Sequence, residues 1–185
     1  MGKGGSKIPP EELRELTEHT HFDEKELKRW YNGFIKDCPD GLLNKEQFTE
    51  LYSSFYESGN AKKFAEHVFR TFDVNGDASI DFREFICSLS VTTRGTVEEK
   101  LEWAFNIYDI DGNGYISQSE MISIVKAVQK MAGAVDDCRL SKSNVLKIFS
   151  KMDKNKDGEL SLEEFLCGAK EDETFVYMLQ AYTPR

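Results

Sequence analysis

At 185 residues and a net charge of −9 at neutral pH, the chain is long enough to bury one sizeable core or two small ones, and its acidic balance argues against nucleic acid as a partner. No run approaches the roughly 18 apolar residues of a membrane span, and no secretory apolar segment opens the chain. The four cysteines, Cys38, Cys87, Cys138 and Cys167, lie far apart without a CxxC pair, which argues against a zinc cluster or disulfide framework and for reduced thiols in the cytosol.

The chain begins Met1-Gly2-Lys3-Gly4-Gly5-Ser6, which fits M-G-x-x-x-[ST]; removal of Met1 would leave Gly2 open to N-myristoylation. One myristoyl chain holds a membrane only marginally, and Lys3 and Lys7 add a modest attraction to anionic lipid. Helical periodicity sets in with Leu27, Trp30, Tyr31, Phe34 and Ile35, opened by Asp23 and Glu26 as a capping box. A short segment, Lys36–Gln47 (KDCPDGLLNKEQ), separates these from Phe48, Leu51, Tyr52 and Phe55. Phe64, Val68, Phe69 and Phe72 then lead into Asp73–Glu84 (DVNGDASIDFRE), and Phe82, Phe85, Ile86 and Leu89 leave it. Ser90–Gly95 (SVTTRG) breaks the pattern and marks a lobe boundary, with Gly95 as the hinge.

Beyond it, Thr96 and Glu99 cap a helix carrying Leu101, Ala104, Phe105 and Tyr108, which runs into Asp109–Glu120 (DIDGNGYISQSE). Met121, Ile124, Val125 and Val128 line the helix that follows. Val145, Ile148, Phe149 and Met152 lead into Asp153–Glu164 (DKNKDGELSLEE), with Leu162, Phe165 and Leu166 behind it. A last helix, near Glu173–Gln180, carries Phe175, Val176 and Leu179.

The segments at 109 and 153 match D-x-[DN]-x-[DN]-G-x5-E, the twelve-residue calcium loop of an EF-hand. Calcium takes 6–8 oxygens, so positions 1, 3 and 5 supply side-chain oxygens, position 7 a carbonyl and position 12 a bidentate Glu. Gly at position 6 reaches the positive φ of the turn without steric cost. The candidate ligands are therefore Asp109, Asp111, Asn113, Tyr115 and Glu120, then Asp153, Asn155, Asp157, Glu159 and Glu164. Ser117 with Glu120 and Ser161 with Glu164 also read as helix caps, which explains those positions but not the acids at 1, 3 and 5.

The segment at 73 offers Asp73, Asn75, Asp77, Ser79 and Glu84, adds an acid at Asp81, and carries Ala78 where Gly is expected. A left-handed Ala costs about 1–2 kcal/mol, and the extra acid weighs on the other side. The segment at 36 is degenerate: Lys36 puts a cation at position 1, Cys38 replaces a hard oxygen, Pro39 stiffens the turn and Gln47 lacks a carboxylate. Loop starts are separated by 37, 36 and 44 residues, the mark of four copies of one helix–loop–helix unit. Branched apolar residues at position 8, Leu43, Ile80, Ile116 and Leu160, suit short strands that pair hand one with two and three with four. The expected fold is all-α, four EF-hands in two paired lobes with a two-stranded β pairing in each, divided as 1–94 and 95–185. Three loops bind Ca2+, with Mg2+ a competitor for the same oxygens.

Of the 22 aromatic residues, 13 lie in the first 94. Most belong in a core, but sensor EF-hands open an apolar groove on binding calcium, and an amphipathic helix fits such a groove. Trp30, Phe34, Phe48, Tyr52, Phe55, Phe85 and Leu89 are the candidate lining. His19, His21 and His67 have no spacing that suggests a metal or catalytic role, and no nucleophile–base pair or phosphate loop supports an enzyme.

The myristoylation start, the Cys38-Pro39 break and the strings WYNGFIKDCPDG (Trp30–Gly41), KFAEHVFRTFD (Lys63–Asp73), IDFREF (Ile80–Phe85) and EEKLEWAFNIYDIDGNGYIS (Glu98–Ser117) resemble the neuronal calcium sensor family. Within it the chain is most similar to the visinin-like, hippocalcin and neurocalcin branch, from Gly2 to about Ala169. The resemblance implies a calcium-myristoyl switch, with the lipid tucked into the groove without calcium and released to a membrane surface with it. It implies a cytoplasmic, reversibly membrane-associated protein whose partners are amphipathic helices of receptor kinases, cyclases, channels or trafficking proteins. Oligomeric state is left open, a dimer included. Two departures stand out: Ala78, and a tail after Glu171 (DETFVYMLQAYTPR) unlike the family's usual ending. The competing readings are a constitutive regulatory subunit of an enzyme, similar to the small subunit of calcineurin, which would normally keep its first loop competent, and a plain calcium buffer, which leaves the lipid signal and the aromatic surplus unexplained.

Overall fold

The first described helix, α1 (Pro10–His19), is one that the apolar pattern from Leu27 onward does not announce. In the computed structural model, which describes residues 7–54, 60–133 and 137–180, Pro10 sits in its first turn with Glu11 and Glu12, and Leu13 and Leu16 are buried. Both features favour a helix start, since Pro needs no donor there and acids suit the positive end of the dipole. The sequence signal was present, but over only two apolar positions.

Next comes α2 (Glu24–Asp37), opened by the expected Asp23–Glu26 capping box, and then the short strand β1 (Leu42–Asn44) and α3 (Lys45–Ser54). The second hand is α4 (Lys62–Phe72), β2 (Ser79–Asp81) and α5 (Phe82–Arg94). The third is α6 (Val97–Tyr108), β3 (Ile116–Ser117) and α7 (Gln118–Met131). A 3-10 turn at Cys138–Leu140 precedes α8 (Lys142–Met152), β4 (Glu159–Leu160) and α9 (Leu162–Glu171), and α10 (Glu173–Gln180) is the last described element. None of the described helices is long and apolar enough to cross a membrane.

Strand pairing follows the position-8 residues. β1 runs antiparallel to β2 with Leu43 opposite Ile80, and β3 antiparallel to β4 with Ile116 opposite Leu160. All four side chains are buried, so each pair of loops is tied at its apolar centre while the ligand positions flank it. Trp30, Phe34, Tyr31, Phe82 and Phe85 pack ring against ring between α2 and α5. In the second pair Tyr108, Phe165 and Phe175 form the equivalent cluster, with Phe175 on α10. Such aromatic contacts are each worth about 0.5–1.5 kcal/mol beyond the area they bury.

The break expected at Ser90–Gly95 is narrower than the sequence suggests: α5 continues through Arg94 and ends at Gly95, its C-cap. Thr92 and Thr93 return their hydroxyl groups to the carbonyl of Leu89, so the helix carries these β-branched residues. Gly95 follows at φ −61, ordinary backbone, and a Cβ there would lie 2.4 Å from the carbonyl oxygen of Val91. It is Gly for lack of room, not for conformational freedom.

Candidate metal centres and an adjoining groove

Three loops share one hydrogen-bond wiring. In the third, the amides of Asn113 and Gly114 donate to the two oxygens of Asp109 at 3.1 and 2.9 Å, and the amide of Tyr115 donates to Asn113 Oδ1 at 2.8 Å. Glu120 reaches back across the loop, its Oε1 accepting from the amides of Ile110 and Asp111 and its Oε2 from that of Ser117. The fourth loop repeats this: Gly158 donates to Asp153 at 3.1 Å, Asp157 to Asn155 at 3.0 Å, and Glu164 accepts from Lys154, Asn155 and Ser161. So does the second, where Asp77 and Ala78 donate to Asp73 and Glu84 accepts from Asn75 and Asp81. Backbone amides thus aim each side-chain oxygen inward, and the position-12 carboxylate closes the loop while capping the helix behind it.

The donor set suits a hard dication. Oxygens of Asp109, Asp111 and Glu120 lie within 4.8 Å of one another, and Asp109 and Glu120 are buried at 6% and 8% exposure. Asp153 is buried too, and its Oδ1 has no hydrogen-bond partner among the described residues. Buried carboxylates are costly unless paired or metal-bound, and oxygen-only ligands at this spacing match the chemistry of calcium. In the fourth loop, burial pushes against the ionised form of Glu164, but the backbone and hydroxyl hydrogen bonds of Ser161, together with the amides of Asn155 and Lys154, hold its carboxyl below the usual range. Asp77 is likewise held low, chiefly by the Ser79 hydroxyl and amide.

Each of these loops makes two left-handed turns. Position 6 is occupied by Ala78 at φ +67, Gly114 at +87 and Gly158 at +85. Position 4, which the motif leaves open, is left-handed as well: Gly76 at +72, Gly112 at +71 and Lys156 at +58. The two glycines at position 4 were the available signal. The first loop has only Gly41 in this conformation, at +79. There Asn44 and Gln47 cap each other through neutral amides, so the hand keeps its shape with an amide in place of the position-12 carboxylate.

Beside the first pair of hands lies a mainly apolar cavity of about 410 Å³. Trp30, Phe34, Phe48, Tyr52, Phe85 and Leu89, all expected in a groove, line it together. Phe55 and Gly2 lie outside the described residues. Trp103 of α6, with Thr92 and Thr93 of α5, also lines it and was not anticipated. Trp103 falls off the apolar stripe of Leu101, Ala104 and Phe105, yet packs partly buried against the core as well as lining the cavity.

The matches to known proteins agree with this geometry. Residues 98–170 match the model of an EF-hand domain pair, and residues 65–86 that of an EF hand. The chain is 50% identical over 183 residues to neuronal calcium sensor 1 of Lymnaea stagnalis, covering 97% of this chain and 96% of the relative. It is 49% identical, over the same shares, to neuronal calcium sensor 1 of Aplysia californica.

Proposed function

Since this chain belongs to the neuronal calcium sensor family and is a calcium-binding regulator rather than an enzyme, we propose that it binds three calcium ions, through loops two, three and four, and converts them into exposure of the aromatic groove. The observation that supports this is the repeated wiring of those three loops, against a first loop that has no carboxylate at positions 1, 3 or 12. The ligands are Asp73, Asn75, Asp77, Ser79 and Glu84, then Asp109, Asp111, Asn113, Tyr115 and Glu120, then Asp153, Asn155, Asp157, Glu159 and Glu164, with Mg2+ competing for the same oxygens. Residues 1–94 and 95–185 act as two lobes, and calcium opens the helix pairs in the manner of sensor EF-hands.

In this reading the groove has two alternating occupants. Without calcium it holds the myristoyl chain on Gly2; with calcium it is free for an amphipathic target helix while the lipid enters a membrane. The protein is then cytoplasmic and reversibly membrane-associated, acting on membrane-bound targets such as receptor kinases, cyclases, channels or trafficking proteins. Placement in the visinin-like, hippocalcin and neurocalcin branch rests on the motifs alone, since the relatives above carry a different member's name.

Calorimetry tests the ion count. The full chain should bind three calcium ions, and Glu120→Gln and Glu164→Gln should each remove about one, because the bidentate ligand is lost. Four ions in the parent, or an unchanged count in either variant, overturns the assignment.

A further inference from the structure

The two pairs of hands meet through α4, the helix that enters the second loop, which packs against both α6 and α7. One side chain on α4 crosses this contact. Arg70 Nη2 donates to the carbonyl oxygens of Asn106 at 2.8 Å and Ile107 at 3.1 Å. Those carbonyls belong to the last turn of α6, where an α-helix leaves its acceptors without partners of its own. A cationic donor near a helix C-terminus satisfies them and complements the dipole. Here the cap is supplied not by α6 or its loop but by the other pair of hands, 36 residues away in sequence.

Position intensifies the effect. Asn106 and Ile107 immediately precede Tyr108 and Asp109, so the capped turn is the one that delivers the first ligand of the third loop. At its own end, Arg70 stands three residues before Asp73, the first ligand of the second loop. The guanidinium is partly buried, which disfavours its charge, and Asp109, Glu120 and Asp111 act in the opposite sense on it. Its Nε has no hydrogen-bond partner among the described residues. The side chain is thus held by the α6 carbonyls and by the field of the third loop.

The geometry points to Arg70 as a positioning residue that couples the second and third calcium sites: movement of α4 when the second loop fills is transmitted, through the cap on α6, to the placement of Asp109. This rests on the proposal that both loops bind calcium. Coupling between sites is reciprocal and of measurable size, commonly fivefold or more in affinity. A structural cap alone would leave the two sites independent.

The experiment follows each loop separately by NMR of the 15N-labelled full chain during a chelator-buffered calcium titration. The position-6 amides, Ala78, Gly114 and Gly158, each donate to the first ligand of their own loop and so report its filling. Removing the second site by Glu84→Gln should weaken the third loop about fivefold or more in the parent. In an Arg70→Met background the same change should alter it less than about twofold. Arg70→Lys, whose ammonium can still donate to the α6 carbonyls, should restore part of the coupling and guards against a folding defect in the Met variant. An equal effect of Glu84→Gln in the parent and Arg70→Met backgrounds, or none in the parent, overturns the inference. An Ala78 amide that ignores calcium in the parent overturns the three-site proposal as well, so the two failures can be told apart.

Discussion

At the turn of the second loop, Ala78 holds φ +67, a conformation that costs a residue with a Cβ about 1–2 kcal/mol. Its amide still donates to Asp73 Oδ2 at 3.0 Å, just as Gly114 and Gly158 donate to Asp109 and Asp153. The loop has therefore kept the shape of its neighbours and carries the strain, which the one-letter departure from the motif could not reveal. Nothing crowds the turns at Gly114 and Gly158, so at position 6 it is backbone conformation rather than space that favours Gly. Ala78→Gly should tighten the second site roughly five- to thirtyfold, the equivalent of relieving that strain. Calcium titration of the two proteins checks this; unchanged affinity would show that the strain is the same with and without the ion.

Between elements, the junction of α2, α5 and the turn before α2 is fastened by Arg94. Its guanidinium grips Glu26 with both arms, reaches the carbonyl of His21 at 3.0 Å, and stacks over Phe22 at 4.5 Å. The Arg94 hydrogen bonds, helped by the backbone amide of Asp23, lower the Glu26 carboxyl to about 2. A carboxylate whose folded value is depressed stabilises the fold fully above its unfolded value, near 4.5, and loses that contribution as pH falls toward 2. Glu26→Gln should therefore lower the melting temperature of the calcium-free protein at pH 7, by an amount that shrinks as pH drops from about 4.5 toward 2. Thermal melts across that range test the sign; a difference that grows on acidification contradicts it.

The same scale separates what could be read in the chain from what could not. Capping boxes at Asp23, Thr96, Ser117 and Ser161 are local patterns, and the structure has each of them. The pairing of Leu43 with Ile80 and of Ile116 with Leu160 was legible too, because the repeat fixes the register. The extension of α5 through Arg94 was not, since it depends on threonine hydroxyls turning back to Leu89 and on the grip on Glu26. The Arg70 cap and the approach of Trp103 to the cavity were out of reach for a similar reason: both join segments that only tertiary packing brings together.

For the whole molecule, the arrangement places an apolar cavity against the pair of hands that contains the degenerate loop, and the two fully motif-matching loops in the other pair. The lining of that cavity combines residues of α5 with Trp103 of α6, so rearrangement at the junction of the two pairs changes the cavity itself. In the proposed switch, calcium binding at the second and third loops, on either side of that junction, alters how well the cavity holds an acyl chain, at roughly 0.8 kcal/mol for each methylene buried. In the same proposal, exposed Lys7 adds attraction to an anionic surface. The central claim is that calcium decides where the lipid goes. Sedimentation of the myristoylated chain with anionic liposomes tests it most directly: the protein should pellet in calcium and stay in solution in chelator, with Gly2→Ala soluble in both. Equal sedimentation with and without calcium would contradict the account.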